Sequence, residues 1–342
     1  MTQSSQDLPR WAPVRQTFGG TPVTDVPGAV AAALAQLGVD GRVKPGQRVA
    51  VSAGSRGVAN VVAVTRAAVA ELRRLGAEPF VFPCMGSHGG AQPAGQLDVL
   101  TSYGLTAAAV GAPVISQGEV VPLGQTPSGV PLWCDKLAFE ADHLLVINRV
   151  KPHTDFSGLI ESGPTKMLAI GLGKHHGAED CHRRFVQRGY EPVLREVGDA
   201  LWARLPLLGG LGLVENGHDL TVRIGAVHPH RHEEDEAELL AYAKEVFGYL
   251  PFDELDVLLL DEIGKDISGA GLDPNVTGVD CCKTHTVPDT PRILRIGIRS
   301  LTPASHGNAA GIGQADFALQ RCVDAVDWQV TATNLIVAAA PR

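Results

Sequence analysis

Aromatic residues are scarce in this chain: Phe, Trp and Tyr make up 5% of its 342 residues. Gly, Ala, Val and Leu are abundant instead, which favours layered α/β packing over an aromatic-rich β-sandwich. Positive charge is also lacking. The formal net charge is −8, and without a basic face or run the chain has no nucleic-acid footprint. No apolar run approaches the length of a membrane span. Residues 1–16 are mostly polar, include Pro9 and Pro13, and contain no apolar export core. The expectation is a cytoplasmic protein with neither membrane nor nucleic acid as partner. The cysteines, Cys84, Cys134, Cys181, Cys281, Cys282 and Cys322, form no Cys-x-x-Cys pair. That excludes a zinc ribbon or thioredoxin-like motif and leaves reduced thiols as the expectation. There is no Walker A sequence and no Gly-x-Ser-x-Gly elbow. A clean Gly-x-Gly-x-x-Gly is missing too: Gly171-Leu172-Gly173 is followed by Gly177, one residue late.

What the chain does carry is strand–loop–helix punctuation. Arg48-Val49-Ala50-Val51 reads as a strand, Gly54-Ser55-Arg56-Gly57 as its exit loop and Val58–Leu75 as a helix closed by Gly76. The pattern repeats with a strand at Pro79–Pro83, a loop Met85-Gly86-Ser87-His88-Gly89-Gly90 and a helix from about Ala91 to Tyr103. Such alternation predicts an α/β fold with parallel sheets, in which ligands bind beyond the carboxyl ends of strands. A third strand, Leu144–Ile147, leads into the segment Arg149–His182. Tyr190–Leu205 reads as a helix, Leu211–Val214 and Leu220–Ala226 as a strand pair, and Glu233–Phe247 as an acidic helix. The length favours two domains, and each reads as α/β from its strand–loop–helix pattern. The boundary falls near Leu250-Pro251, giving 1–248 and 249–330, with the tail from about 330 to 342 packing back on the first. In the second domain, Leu255–Leu260 and Ile293–Ile298 read as strands and Gln314–Val326 as a helix.

Four of the twelve histidines, His153, His175, His176 and His182, lie with several glycines and cations in Arg149–His182. That mixture suits a site that holds an anion and moves protons near neutral pH. His88 and His153 each follow a strand end, as a general acid/base must to be accessible. Arg149 and Lys151 beside His153 favour its neutral form and attract a carboxylate or phosphate. Lys166 precedes the apolar run Met167-Leu168-Ala169-Ile170, which makes it either a reactive amine or a snorkelling side chain. Arg56, where a helix begins, is a candidate anion site. His175, His176 and His182 do not have zincin spacing, and His228-Pro229-His230-Arg231-His232 reads as an exposed loop.

Gly86-Ser87-His88, Arg149-Val150-Lys151-Pro152-His153, Phe156-Ser157-Gly158 and Lys166 together resemble the nickel-pincer lactate racemase family, and Leu255–Asp273 is similar to the opening of its second domain. The resemblance spans roughly 45–325 and implies two α/β domains with the site in the cleft between them. It implies a pyridinium-derived mononucleotide carrying nickel, joined covalently to Lys166 through a thioamide. Ser55, Arg56, Gly171, Gly173 and Lys174 would surround that cofactor, with Lys174 as the second choice of anchor. His182, then His175, would ligate the nickel. His88 and His153 would serve as acid/base partners in hydride-transfer racemisation or epimerisation of a 2-hydroxy acid. Arg56 and Arg149 would bind its carboxylate. This chain departs from the family at Ala53-Gly54-Ser55 and at Gly269-Ala270-Gly271, so Lys265, Asp273, Asn275 and His306 become the candidate substrate contacts. Cofactor-synthesis enzymes and a second copy of the chain are the implied partners. The alternatives are a nickel-independent oxidoreductase, NAD-linked or otherwise, and a non-catalytic binder of an acidic metabolite.

Overall fold

The computed structural model describes residues 10–279 and 289–338, so Cys281 and Cys282 lie outside the described residues. Its strands are β1 (Arg48–Ala53), β2 (Glu78–Pro83), β3 (Val120–Gln125), β4 (Pro131–Asp135), β5 (His143–Arg149), β6 (Leu207–Glu215), β7 (Thr221–Val227), β8 (Glu254–Ile263), β9 (Arg292–Leu301) and β10 (Phe317–Ala318). Five of them form a sheet in the order β2-β1-β5-β6-β7. The first four run parallel, and β7 is an antiparallel edge strand. The fold is α/β, as its alternating pattern requires.

Strand side chains alternate between faces, so one apolar run feeds two cores. Ala50, Phe80, Phe82, Leu144 and Val146 face one core, which Cys181, Phe185, Leu194, Leu201 and Leu239 complete from three helices. Val49, Val51, Val81, Leu145 and Ile147 face the other, closed by Val30, Leu34, Val64, Ala68 and Leu72. The helices are Lys174–Arg188, Tyr190–Arg204 and His232–Val246 on the first side, and Val26–Gln36 and Val61–Arg74 on the second. The last of these starts three residues later than periodicity suggests, because Asn60 takes a left-handed φ of 59°. The next helix starts at Pro93 and ends at Ser102. Two elements left unread in the sequence are the helix Val26–Gln36 and the β3–β4 hairpin.

The second sheet has three parallel strands in the order β10-β9-β8. It has a separate core of Ile263, Leu272, Ile296, Ile298, Leu301 and Cys322. The helix expected at Gln314–Val326 is not formed as one piece. Phe317 and Ala318 pair with Gly297 and Ile298, and only Gln320–Asp324 is helical beyond them. The open edge of β9 offered hydrogen bonds that outweighed helical propensity. In the tail helix Trp328–Ala338, the Thr331 hydroxyl donates to the Gly307 carbonyl and accepts the Ala309 N–H. No described helix is long and apolar enough to cross a membrane.

Candidate functional site

Strand order assembles the site. β2, β1 and β5 are neighbours, so their exit loops lie side by side at one edge of the sheet. The β1 loop carries Ser55 and Arg56, the β2 loop His88, and the β5 loop Lys151 and His153. The loop after β8 reaches across to them. Arg56 Nη1 donates to the Lys265 carbonyl at 3.1 Å, and Asn275 Nδ2 donates to the His153 carbonyl at 2.9 Å.

His153 is held on both sides. Its backbone N–H donates to Glu161 at 2.5 Å, and its Nδ1 accepts the Asp155 N–H at 3.0 Å. The neutral ring therefore carries its proton on Nε2. Its face lies on Phe156, with centroids 4.5 Å apart, and Phe156 stacks on Tyr190. Glu161 is 2% exposed and also accepts from Gly158 N–H and from Lys244 Nζ. One buried carboxylate thus shapes the whole β5 loop.

His88 is exposed on the β2 exit loop, yet its surroundings still withdraw water from the ring. That desolvation, reinforced by Arg56, Lys265 and Lys166, pushes its pKa down to about 4. Lys166 ends the helical turn Pro164–Lys166 and leads into a π-helical turn, Met167–Leu172. π-turns recur at functional sites. Burial, aided by Lys151 and Arg56 and opposed by Asp155 and Glu161, brings the Lys166 amine to about 7. No ion pair engages it among the described residues. His182 is lowered by burial and then by Lys166, which places these two side chains in one electrostatic environment.

Two supports of this cluster escaped the sequence reading. Lys151, named there only as a cation beside His153, is half-buried and falls to about 8 through desolvation and the nearby Arg149. Glu236, on a helix read as solvated, is 2% exposed. It accepts the Thr165 N–H at 2.8 Å and the Thr165 hydroxyl, and that hydroxyl accepts the Trp202 indole N–H at 2.8 Å. A Cβ on Gly163 would lie 2.1 Å from Glu236 Oε2, so only glycine fits there. The signal was present as an acidic residue on a helix whose Leu239, Leu240 and Ala243 are core.

Several expected site residues are employed elsewhere. Lys174 Nζ is buried against the Pro83 carbonyl, Gln96 Oε1 and Asp135, and cannot serve as a cofactor anchor. Gly171 and Gly173 are packing positions, not a phosphate cradle: added Cβ atoms would meet the Cys84 carbonyl at 2.6 Å and Trp133 at 2.8 Å. His175 is exposed, 3.6 Å from Glu179. Arg149 is ion-paired with Glu215, whose other oxygen accepts Ala59 N–H, so its guanidinium is not open to a carboxylate. Asp273 caps Pro274–Thr277, accepting from Asn275 N–H. Asn275 holds the His153 backbone. His306 is an exposed left-handed residue, φ 49°. Lys265 does reach the cleft. Its Nζ donates to the Gly269 carbonyl at 2.5 Å, and burial with Arg56 brings it to about 8. Ser55 sits beside Arg56, its carbonyl accepting the Tyr103 hydroxyl at 3.3 Å.

The fold is like that of a solved lactate racemase. The chain superimposes on the lactate racemase apoprotein from Thermoanaerobacterium thermosaccharolyticum with a TM-score of 0.53. The two are 16% identical, and the match covers 93% of this chain and 80% of that one. No family model matches the chain, and neither does any curated protein.

Proposed function

We propose that this protein is a racemase or epimerase acting at C2 of a 2-hydroxy acid. The observation that carries the reading is the gathering of His88, His153 and Arg56 on adjacent strand exits, with the half-buried amine of Lys166 in the turn beyond the β5 loop, in a lactate racemase-like fold. The donor set fits a nickel-pincer nucleotide. Acylation of an amine needs its neutral form, which burial of Lys166 favours, and nickel coordination needs a neutral imidazole, which burial of His182 favours. No group of three or more His, Cys, Asp or Glu side chains converges on a metal position among the described residues. Lys166 would hold the cofactor and His182 would be the protein's single nickel ligand. When bound, that group supplies the acceptor and donor for the C2 hydride.

The chain's own residues manage charge and protons. Arg56 orients the substrate carboxylate. His88, kept neutral by its cationic surroundings, accepts the C2 hydroxyl proton of one enantiomer. His153, with its proton directed to Nε2 by Asp155, serves the opposite face. Lys265 and the β8 loop close over the cleft and limit water.

The test is a screen of single-enantiomer 2-hydroxy acids, using protein coexpressed with cofactor-synthesis enzymes and following optical rotation. Loss of rotation, with added mass on the Lys166 peptide, is expected. An unmodified chain that leaves every enantiomer intact would rule the reading out. His88→Asn and His153→Asn should each lower kcat by at least about 100-fold.

A further inference from the structure

Behind His88 lies a buried polar relay that the proposed reaction does not use. Asp135, at the end of β4, and Lys174, at the start of its helix, form an ion pair of 2.8 Å with side chains 0% and 6% exposed. Lys174 also donates to Gln96 Oε1 at 2.9 Å and to the Pro83 carbonyl at 2.7 Å. Gln96 is 1% exposed. It turns its amide the other way, donating to the carbonyls of Gly86 at 3.2 Å and His88 at 3.4 Å. Backbone packing backs this up: a Cβ on Gly89 would lie 2.6 Å from Gln96 N. Lys174 adopts a left-handed φ of 52°, a conformation that persists in a non-glycine residue when its surroundings demand it.

We propose that Gln96 is a positioning residue for His88, and that the Lys174–Asp135 pair holds Gln96 in place for that task. A buried ion pair adds little net stability over an apolar replacement, yet it fixes orientation. Here the fixed object is the amide that grips the His88 loop from behind. Lys174, Gln96 and Asp135 arrive from three separate elements, so the loop is tied to the helix Lys174–Arg188, to the helix Pro93–Ser102 and to the hairpin together. The charged groups facing the His88 ring itself are Arg56, Lys166 and Lys265. Holding the ring among them keeps it neutral, as the proposed proton transfer requires, so the catalytic meaning rests on that reading. The imidazole's state can be measured without it.

The experiment is peptide-resolved carbethoxylation of the unloaded protein, comparing the His88 rate at pH 5.5 with that at pH 7.5. Exposed His175 is the internal reference. In the wild type the His88 ratio should be near one, because the ring is neutral at both values. Gln96→Met preserves volume but releases both carbonyls, and the ratio should fall at least about twofold as the ring gains water and protonates. The paired variant Lys174→Met/Asp135→Leu, which leaves no orphaned charge, should lower it in the same direction and decides the matter if Gln96→Met shows no cooperative melting. An unchanged ratio in a folded variant, or a wild-type ratio well below one, overturns the proposal. Absence of racemase activity beside the expected ratios would remove the proposed function and leave this role standing.

Discussion

Lys166 is costly where it stands. Its amine ionises near 10.5 in an unfolded chain and at about 7 in the fold. The unfolded state therefore binds more protons than the folded one from pH 10.5 down to 7. Stability falls as pH drops through that window, and the full penalty persists below 7. Replacing Lys166 by Met should raise Tm at pH 7 by a few degrees, on the order of 1–2 kcal/mol after allowing for partial solvation. The gain should shrink toward pH 10. A Tm that falls at pH 7 would show the amine to be structurally satisfied. The same residue scale separates what could be read in the sequence from what could not. His88 and His153 could be placed at strand exits from the sequence, because each follows closely on an apolar strand run. Lys174 and Lys166 both precede or follow apolar residues in a Gly-rich run, and nothing local tells which one meets a buried carboxylate. Asp135, thirty-nine positions away in the chain, makes that distinction.

Among elements, the segment Gly163–Leu172 depends on its neighbours. Pro164 starts the turn, but Thr165 is gripped by Glu236 and Trp202 from two different helices. Thr165→Val should leave the Trp202 N–H unpaired, while Glu236 Oε1 keeps only the backbone N–H of residue 165, costing about 1–3 kcal/mol. Chemical denaturation would measure it. In loaded protein the Lys166 adduct should also diminish by several-fold. A variant that melts and loads like the wild type would mean the grip is incidental. Strands and long helices were readable because periodicity 2 and 3.6 leave a strong mark in apolar sequence. The helix expected over Gln314–Val326 was not formed because Phe317-Ala318 completes the edge of β9, a choice made by a partner rather than by propensity. The expectation that Gly171 and Gly173 line a cofactor has a similar origin: a glycine that accommodates a carbonyl and one that accommodates a ligand look alike until the neighbour is known.

In the molecule as a whole, hydrogen bonds from Asn275 and Arg56 join the β8 loop to the first sheet's exit loops. Asn275→Ala removes a side-chain bond to the His153 carbonyl without touching any of the three cores. The expected outcome is faster hydrogen exchange in residues 150–162 and an unfolding free energy within about 1 kcal/mol of the wild type. Unchanged exchange there would mean that Asn275 does not restrain the β5 loop. The amino-acid sequence by itself determined the α/β class, most of the strands and the presence of two histidines and a lysine suited to proton and amine chemistry, because those follow from local periodicity and residue chemistry. Only the tertiary structure decided which cations stay open to the cleft. Arg149 is neutralised by Glu215 and Lys174 by Asp135, while Arg56, Lys151, Lys166 and Lys265 crowd one another with few carboxylates between them. The physical reason is that charge is felt through space: strand order sets β2, β1 and β5 side by side, and separation along the chain carries no such information.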